Sequence, residues 1–394
     1  MFELIFALGS LVPFFALMAF VLVLNRYLSG RHDKAMKAAA EEYGLTFREG
    51  ATFGRSCTVD GSVDGINVII DTYSTGSGKS RTTWTRFRLR DPKAIMGAQI
   101  AGEGVFSFVG KALKGSDVEI GDPRFDDKVL LRGPSEAELR AVFDQPTREA
   151  VRKAVNHSWT LGTGEWTCRR SGRLREASKI SYTLGLGLEA ARAARSPGRD
   201  LAAGLERVYT TDPDQRVRAK ALHERLRMSP PPGEAELREL ATDKGFVGLI
   251  AAQALGQEGL PHLYDALEKG DPAAVRLRAA ELLIEMRQVV DVDFSKVHEV
   301  LLQAVHHEPY IDRAILGLEK IGTVEAVAPL LDHAGGFLPS QRKTNAQRAV
   351  RAIQSRIAGA DRGQVSIVAA QGGELSEATQ GQRGALAAAS RQRE

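Results

Sequence analysis

The chain of 394 residues is 43% hydrophobic and 26% charged, with a net charge of +4, which is enough apolar material for two or three folded domains. A small, dispersed positive charge is not typical of nucleic-acid-binding proteins, so no nucleic-acid partner is expected. Cys57 and Cys168 stand in separate segments without a CxxC pattern. This spacing argues against both a disulfide framework and a metal site.

The first predicted element is a membrane-spanning helix. Residues 4–24 form a stretch of 21 residues without a charged side chain, long enough to cross a hydrocarbon core of roughly 30 Å. A cleaved signal peptide is the main alternative, but Met1-Phe2-Glu3 provides no basic start and no small-residue cleavage site follows. An uncleaved anchor is therefore expected within residues 1–28, so that the membrane is a partner through residues 4–24.

The charges beside this stretch predict its orientation. Arg26, Arg31, Lys34 and Lys37 follow it, against a single Asp33, and positive flanks remain in the cytoplasm. We expect a single-pass protein of the cell's inner membrane, with its N-terminus outside and its C-terminal body cytoplasmic. A juxtamembrane helix is predicted over residues 29–44, where Gly44 ends it.

Residues 45–195 are predicted to form one α+β domain of unknown function. Asp64-Gly65 is a tight-turn dipeptide between two strand-like segments, which indicates a hairpin. Strands are predicted at residues 57–63, 66–73, 81–90, 104–109, 116–120, 128–132 and 159–170, and helices at residues 135–155 and 176–195.

One segment of this domain has a recognisable pattern. Residues 121–133 read GDPRFDDKVLLRG, which resembles a recurrent "GDP-x-FD…V-x-G" segment of uncharacterised bacterial membrane-associated proteins. The resemblance implies no activity. The residues themselves predict a turn at Asp122-Pro123 that leads into a buried strand.

The chain from residue 199 to 358 is predicted to form five helical hairpins. An alanine recurs at an equivalent place in the second helix of each pair, and in the last four a large apolar residue follows four positions later, on the same face. The alanines are Ala221, Ala251, Ala279, Ala314 and Ala349. Ala279 is expected to be buried, whereas Arg278 and Glu281 are expected to point to solvent. The ten helices are predicted at residues 200–211, 214–228, 234–242, 245–256, 258–269, 272–287, 293–305, 308–321, 323–332 and 339–358.

Three strings in this region resemble the HEAT-repeat family, in the short form common in bacteria. They are GLIAAQALGQEGLPHLYDAL (248–267), DPAAVRLRAAELL (271–283) and LGLEKIGTVEAVAPLLDH (316–333). The resemblance implies an all-α solenoid of HEAT-like helical hairpins, which would follow the transmembrane helix and the α+β domain. An irregular helical bundle with accidental periodicity is the alternative. Residues 359–394, rich in Gly, Gln, Ala and Ser, are expected to be disordered.

Residues 74–80, STGSGKS, end like a phosphate-binding loop. The full pattern requires a glycine where Tyr73 stands and a helix afterwards, whereas residues 81–90 alternate like a strand. A hairpin tip is therefore predicted, and no nucleotide partner is expected.

Two basic surfaces are candidates for interaction. Trp84, Arg86, Arg88 and Arg90 share one face of a predicted strand and could contact an anionic membrane surface or an acidic protein. Alternatively, that face is solvated and pairs with acids such as Asp71. In the last repeat, Arg348 and Arg351 could bind an acidic partner or belong to a polar capping helix.

These observations favour a scaffold over an enzyme. No nucleophile–base pair, metal-ligand spacing or cofactor motif has a recognisable context, so no catalytic, cofactor-binding or metal-binding residue is predicted. Solenoids bind other proteins on extended surfaces, which suggests a membrane-anchored protein-interaction scaffold with protein partners of unknown identity. The alternative is a regulatory or accessory subunit of a membrane enzyme or transporter complex. The repeat resemblance also implies a third class, an enzyme, because the family includes relatives of the lyases that act on bilin chromophores.

Overall fold

A computed structural model describes most of the chain. The described residues are 17, 20, 30–50, 57–77, 80–102, 117–133, 135–162, 164–335, 339–357, 365–367 and 375–377. The chain divides between Ser229 and Pro230 into two compact units. The first unit contains an antiparallel sheet with its covering helices, and the second unit is mostly helical.

The expected single-pass membrane topology is wrong for the residues that the structure describes. None of their helices is both long and apolar enough to cross a membrane. The longest have 17 residues and include several charged side chains, whereas a span needs roughly 20 mostly apolar residues. Residues 4–24 lie outside the described part apart from Leu17 and Phe20. The predicted inner-membrane localisation and cytoplasmic orientation depended on this span, so the same finding contradicts them.

The first unit is built on an eight-stranded sheet with the order β1-β2-β3-β4-β8-β7-β5-β6, and each pair of neighbours is antiparallel. A helix precedes it, with described residues 30–42, here α1. The strands are β1 (Thr46–Arg48), β2 (Thr58–Val63), β3 (Ile66–Thr75), β4 (Thr82–Arg90), β5 (Gln99–Gly102), β6 (Val129–Arg132), β7 (Trp159–Gly162) and β8 (Glu165–Ser171). The helices are α2 (Pro123–Asp126), α3 (Glu136–Val142), α4 (Gln145–Asn156) and α5 (Ala177–Ala193).

The predicted hairpin at Asp64-Gly65 is confirmed. Both residues have positive φ, 51° and 80°, which is the backbone of the two-residue turns that suit the twist of paired strands. The turn places Val63 opposite Ile66. Along the first half of β3, Ile66, Val68 and Ile70 are buried and alternate with more exposed side chains, as expected for a sheet with one covered face.

Helix α5 packs closely on the sheet because of one glycine. A Cβ atom on Gly187 would lie 2.3 Å from the Trp159 ring, so only glycine lets the helix approach. The fully buried indole of Trp159 donates its N–H to the carbonyl oxygen of Thr183 at 3.1 Å. A buried indole needs such an acceptor, and α5 provides it.

Three predicted elements of this unit differ from the structure. The single helix predicted at residues 135–155 is two helices, because Asp144 caps a new helix at the Thr147 amide and Pro146 lies in its first turn. The strand predicted at residues 116–120 is reduced to one bridge at Asp117, and β5 was missed. The strand predicted at residues 104–109 lies outside the described residues.

The helical hairpins of the C-terminal half begin and end close to their predicted bounds. The first pair, α6 (Leu201–Thr211) and α7 (Gln215–Leu226), packs on α3 within the first unit. The second unit contains α8 (Glu234–Ala241), α9 (Phe246–Ala254), α10 (Leu260–Lys269), α11 (Ala273–Met286), α12 (Phe294–Ala304), α13 (Ile311–Ile321), α14 (Val327–Ala334) and α15 (Gln341–Ile357). These eight helices are called the helical array below.

The recurrent alanines mark the contacts between these helices. All five, from Ala221 to Ala349, are fully buried. In the helical array α9, α11, α13 and α15 contact one another in series, and small residues let their backbones approach. Leu283, Leu318 and Ile353 are buried one turn later, as the register predicts, whereas Leu255 is only half-buried at the end of its helix. Membership of the HEAT-repeat family remains a prediction.

Two short strands are described in the predicted disordered tail. β9 (Val365–Ile367) and β10 (Leu375–Glu377) pair antiparallel with each other. The rest of residues 358–394 lies outside the described part.

The sequence predicts that Glu281 points to solvent, but the structure shows its carboxylate bound to two arginines. Its carboxylate accepts hydrogen bonds from Arg313 at 2.7 and 2.8 Å and from Arg278 at 3.1 Å. Similar pairs join Arg342 to Asp312 and Arg348 to Glu319 in the following repeats, as bidentate contacts of 2.7 to 3.0 Å. The array therefore has a ladder of ion pairs between successive repeats beside its buried alanine seam.

Replacing Ala279 tests the alanine seam. Ala279→Arg forces a long cation into a closed helix contact, and we expect it to lower the free energy of unfolding by about 3–5 kcal/mol. The matched control is Ala235→Arg on the exposed side of α8, which should change it by less than about 0.5 kcal/mol. Chemical denaturation of the full chain, followed by circular dichroism, provides the measurement. Equal effects of the two changes would refute the register.

Replacing Glu281 tests the ladder, and the effect should depend on pH. Burial opposes ionisation of Glu281, but Arg313 and Arg278 outweigh it and lower its pKa. The pair therefore stabilises the fold above the unfolded-state pKa of about 4.3, and this contribution is lost as pH falls through the lower folded-state value. Glu281→Gln should cost about 1–2 kcal/mol at pH 7 and converge on the parent in acid. Glu285→Gln, at a more exposed position one turn on, should cost less than about 0.5 kcal/mol at either pH.

Candidate functional site

The basic strand predicted as an interaction surface is β4, and its charges are paired within the sheet. Arg86 binds the Asp71 carboxylate in a bidentate contact of 2.9 and 2.6 Å, and Arg88 reaches the same carboxylate at 3.1 Å. The hydrogen bond to Asp71 raises the pKa of Arg86. Arg90 lies 3.7 Å from Glu165, and the Trp84 indole donates to a threonine hydroxyl of β3. These contacts match the alternative interpretation of this strand, in which its basic face pairs with acids such as Asp71.

The other predicted surface residues belong to α15, in the second unit. Arg348 is held by Glu319 through two hydrogen bonds. Arg351 is exposed beside Leu331 and Val350 at a shallow hollow. The structure thus places the two predicted surfaces in different units and shows that Arg348 has a structural partner.

The segment that resembles a phosphate-binding loop is the tip of the β3–β4 hairpin. Thr75 pairs with Thr82 across it, and the chain continues as a strand. The Gly78-Lys79 dipeptide lies outside the described residues. Among the described residues, Ser80 has a 3-10 conformation and Thr82–Arg90 is a strand, whereas a phosphate-binding loop leads into an α-helix whose amide dipoles hold the phosphate.

The first part of the GDP segment has structural roles at Gly121, Asp122, Phe125 and Asp126. Gly121 has a φ of 113°, and a Cβ there would lie 3.1 Å from the backbone of Arg216 at the start of α7. Asp122 caps α2, and Phe125 is buried against Phe143 with ring centroids 5.6 Å apart. The Asp126 carboxylate accepts the amides of residues 120 and 121 at 3.0 and 2.8 Å. The motif therefore forms part of the surface against which the first helical hairpin, α6 and α7, packs.

A buried arginine connects this surface to the first hairpin. Arg148 on α4 is 4% exposed and donates to both carboxylate oxygens of Asp212, at 2.8 and 3.1 Å. It also donates to Asp122 at 2.9 Å and to the carbonyl oxygen of Phe143 at 2.9 Å. Burial disfavours its charge, but the two aspartates outweigh this and raise the pKa of Arg148. One guanidinium thus joins α2, the end of α3 and the loop before α7.

A polar cleft of about 530 Å³ opens above this network. Arg124 and Arg152 line it, and neither guanidinium has an acidic partner among the described residues. The remaining lining residues are Asp122, Pro123, Phe125, Gln145, Arg148, Glu149, Pro213 and Asp214. Because three acids share the cleft with its three arginines, its charge does not select an anion strongly.

The helical array contains a second candidate site, a groove between α11 and α12 that is centred on Arg276. Two adjoining hollows of about 450 and 320 Å³ share Arg276, Val300 and Gln303. The other lining residues are Leu267, Glu268, Ala273, Leu277, Lys296, Glu299, Ala304, His306, His307 and Tyr310. This set is called the Arg276 groove.

The charges around the Arg276 groove leave one cation without a partner. Lys296 is paired with Glu268, and Gln303 contacts Glu299 at 3.5 Å. The half-buried Arg276 makes no ion pair or side-chain hydrogen bond within the described part of the chain. A guanidinium is a rigid bidentate donor that matches a carboxylate, so the groove has an open position for one.

Comparison with protein-family models, with curated proteins and with solved structures found no significant match to this chain. The HEAT-repeat resemblance and the GDP-segment resemblance therefore rest on the residues quoted for them.

Sequence reasoning missed Arg148 and Arg276, although each gave a signal. Arg148 follows Asp144 and Pro146 on a helix start that marked a separate α4. Arg276 stands in the Val-Arg pair of the repeat motif, but a sequence cannot show whether an arginine has found an acid. That outcome depends on which helices become neighbours.

Breaking the Arg148 network should destabilise the first unit. Arg148→Met leaves the fully buried carboxylate of Asp212 without its cation, so we expect a loss of about 3–5 kcal/mol in unfolding free energy. Arg152→Met, one turn further along α4, removes a cation without a charged partner and should cost less than about 0.5 kcal/mol. Chemical denaturation of the full chain measures both; a loss below 1 kcal/mol for Arg148→Met, by the same scale, would contradict the role assigned to the network.

Proposed function

We propose that this chain is a non-enzymatic protein-interaction scaffold whose helical array binds a partner polypeptide in the Arg276 groove. The observation that supports the proposal most directly is the unpaired, half-buried guanidinium of Arg276 in the middle of that groove. Helical repeat arrays bind other proteins on the extended surfaces that their successive repeats form.

The groove matches a partner segment with an acidic side chain beside an apolar one. Its floor is formed by Leu277, which is buried, and by the half-buried Val300 and Ala304. A partner's apolar side chain would gain from burial against that floor. Its neighbouring carboxylate would meet Arg276 in a charge-assisted, bidentate contact.

The contrast with other arginines of the helical array supports the same site. Arg313, Arg342 and Arg348 are each held by an acid of the preceding repeat. Their hydrogen-bonding capacity is used in joining the repeats. Arg276 lies on α11, the helix that supplies Glu281 to this ladder, but it makes no ion pair itself within the described part of the chain and is available to a partner.

Peptide binding by the full chain tests the proposal. Fluorescent peptides that place Asp or Glu at each spacing of one to four residues from Leu or Phe are titrated with the protein, beside matched peptides with Lys for the acid. We expect at least one acidic peptide to bind and its Lys counterpart not to. Because Arg276 is partly solvated, binding should weaken as salt is raised.

Charge reversal then locates the site. Arg276→Glu should weaken the acidic peptide by at least about tenfold, or about 1.4 kcal/mol, whereas Lys320→Glu, an exposed change elsewhere in the array, should leave its affinity unchanged. Equal affinities for Arg276→Glu and the parent would overturn the proposed site. Arg351→Glu tests the predicted α15 surface in the same experiment, and a loss there alone would move the site to α15.

A further inference from the structure

His32 presents an unsatisfied nitrogen inside the first unit. It lies on α1, is 1% exposed, and has its Nδ1 atom 2.5 Å from the carbonyl oxygen of Leu174. A carbonyl oxygen only accepts, so Nδ1 must bear the hydrogen in this contact. The other nitrogen, Nε2, is buried and has no hydrogen-bond partner in the described part of the chain. Buried polar atoms rarely remain unpaired, so this lone pair requires an explanation.

Two further ligand atoms converge on the same place. A carboxylate oxygen of Asp33, the Sγ atom of Cys57 and a ring nitrogen of His32 all lie within 4.8 Å of one another. Cys57 is 3% exposed and directly precedes β2, while Asp33 is partly exposed on α1. With Nδ1 engaged by Leu174, Nε2 is the ring nitrogen that remains to bind an ion.

We propose that His32, Asp33 and Cys57 bind one divalent transition-metal ion of the zinc class. Imidazole nitrogen, thiolate sulfur and carboxylate oxygen are the protein ligands that zinc takes. A thiolate argues against calcium and magnesium, which prefer oxygen. The three residues would leave a further coordination position for water or an external ligand.

The hydrogen bond to Leu174 supports this assignment. Metal-binding histidines usually donate their second ring N–H to a carbonyl or carboxylate, which fixes the tautomer and aims the free lone pair at the ion. The Nδ1 contact of His32 is of this kind. An ordinary core histidine would be expected to have both nitrogens satisfied.

The charge balance is compatible with a bound cation. Burial lowers the pKa of His32, and the nearby positive charges of Arg173 and Arg175 contribute in the same direction. These two charges oppose a bound cation. The Asp33 carboxylate and a Cys57 thiolate together supply two negative charges, which match a divalent ion. Cys57 binds by losing its thiol proton to solvent as the sulfur–metal bond forms.

A bound ion would join three segments that are distant along the chain. It would connect α1 to the start of β2 and, through His32, to the loop after β8 that contains Leu174. An ion that binds the folded chain more tightly than the unfolded chain stabilises it by mass action. Zinc should therefore raise the thermal unfolding midpoint of the first unit.

Cobalt substitution tests the site in the full chain. Protein treated with a chelator is titrated with Co²⁺, and a thiolate-to-cobalt absorption band reports sulfur ligation. We expect the band to saturate at one equivalent and to disappear when Zn²⁺ is added. Cys57→Ser should abolish it, whereas Cys168→Ser, which changes a buried thiol bonded to the His157 carbonyl oxygen, should leave it intact.

Two more conservative variants test the site if Cys57→Ser fails to fold. His32→Asn can retain an N–H toward Leu174 but removes Nε2, and Asp33→Asn changes a partly exposed ligand. Each should weaken Co²⁺ binding at least about tenfold and reduce the rise in unfolding midpoint with Zn²⁺. The proposal is overturned if the folded parent gives no cobalt–thiolate band, or if Cys168→Ser removes the band as completely as Cys57→Ser.

Discussion

The first unit depends on one buried cation, the guanidinium of Arg148. A charge with 4% exposure needs acceptors for each of its nitrogens, because transfer from water to the protein interior is costly. Asp212, Asp122 and the Phe143 carbonyl oxygen meet that demand from three different segments. This shared requirement draws α6 and α7 onto α3 and α4. It explains why the first predicted hairpin belongs to the sheet unit and not to the helical array.

The helical array is held by a different combination of forces. Fully buried alanines let α9, α11, α13 and α15 pack in series, and the apolar residues one turn later fill the remaining space. Beside this seam, acids such as Glu281 and Glu319 pair with arginines of the following repeat. Packing supplies most of the stability, while the ion pairs add contacts between adjacent repeats. The arginines used in this ladder are not available to a partner.

The two proposals come from the same physical contrast. Arg148 and Glu281 show how this chain satisfies buried or half-buried polar groups, with bidentate contacts of 2.7 to 3.1 Å. Arg276 and the Nε2 atom of His32 depart from that rule, one as a cation without an acid and the other as a buried lone pair without a donor. A carboxylate would satisfy the first, and a metal ion the second. Each departure therefore indicates the chemistry of what is missing.

The sequence by itself determined the local elements of this protein, because turn chemistry and periodicity depend on a few adjacent residues. Asp64-Gly65 predicted the hairpin, and the spacing of Ala251, Ala279 and Ala314 predicted the buried helix faces. Local hydropathy misled where it was taken as evidence of membrane topology, which no described helix supports. Only the tertiary structure decided that Arg148 meets Asp212, 64 residues away, and that Glu281 faces Arg313. It also brought His32 to Cys57. These long-range contacts depend on how whole helices and strands pack against each other, and local sequence patterns do not indicate that packing.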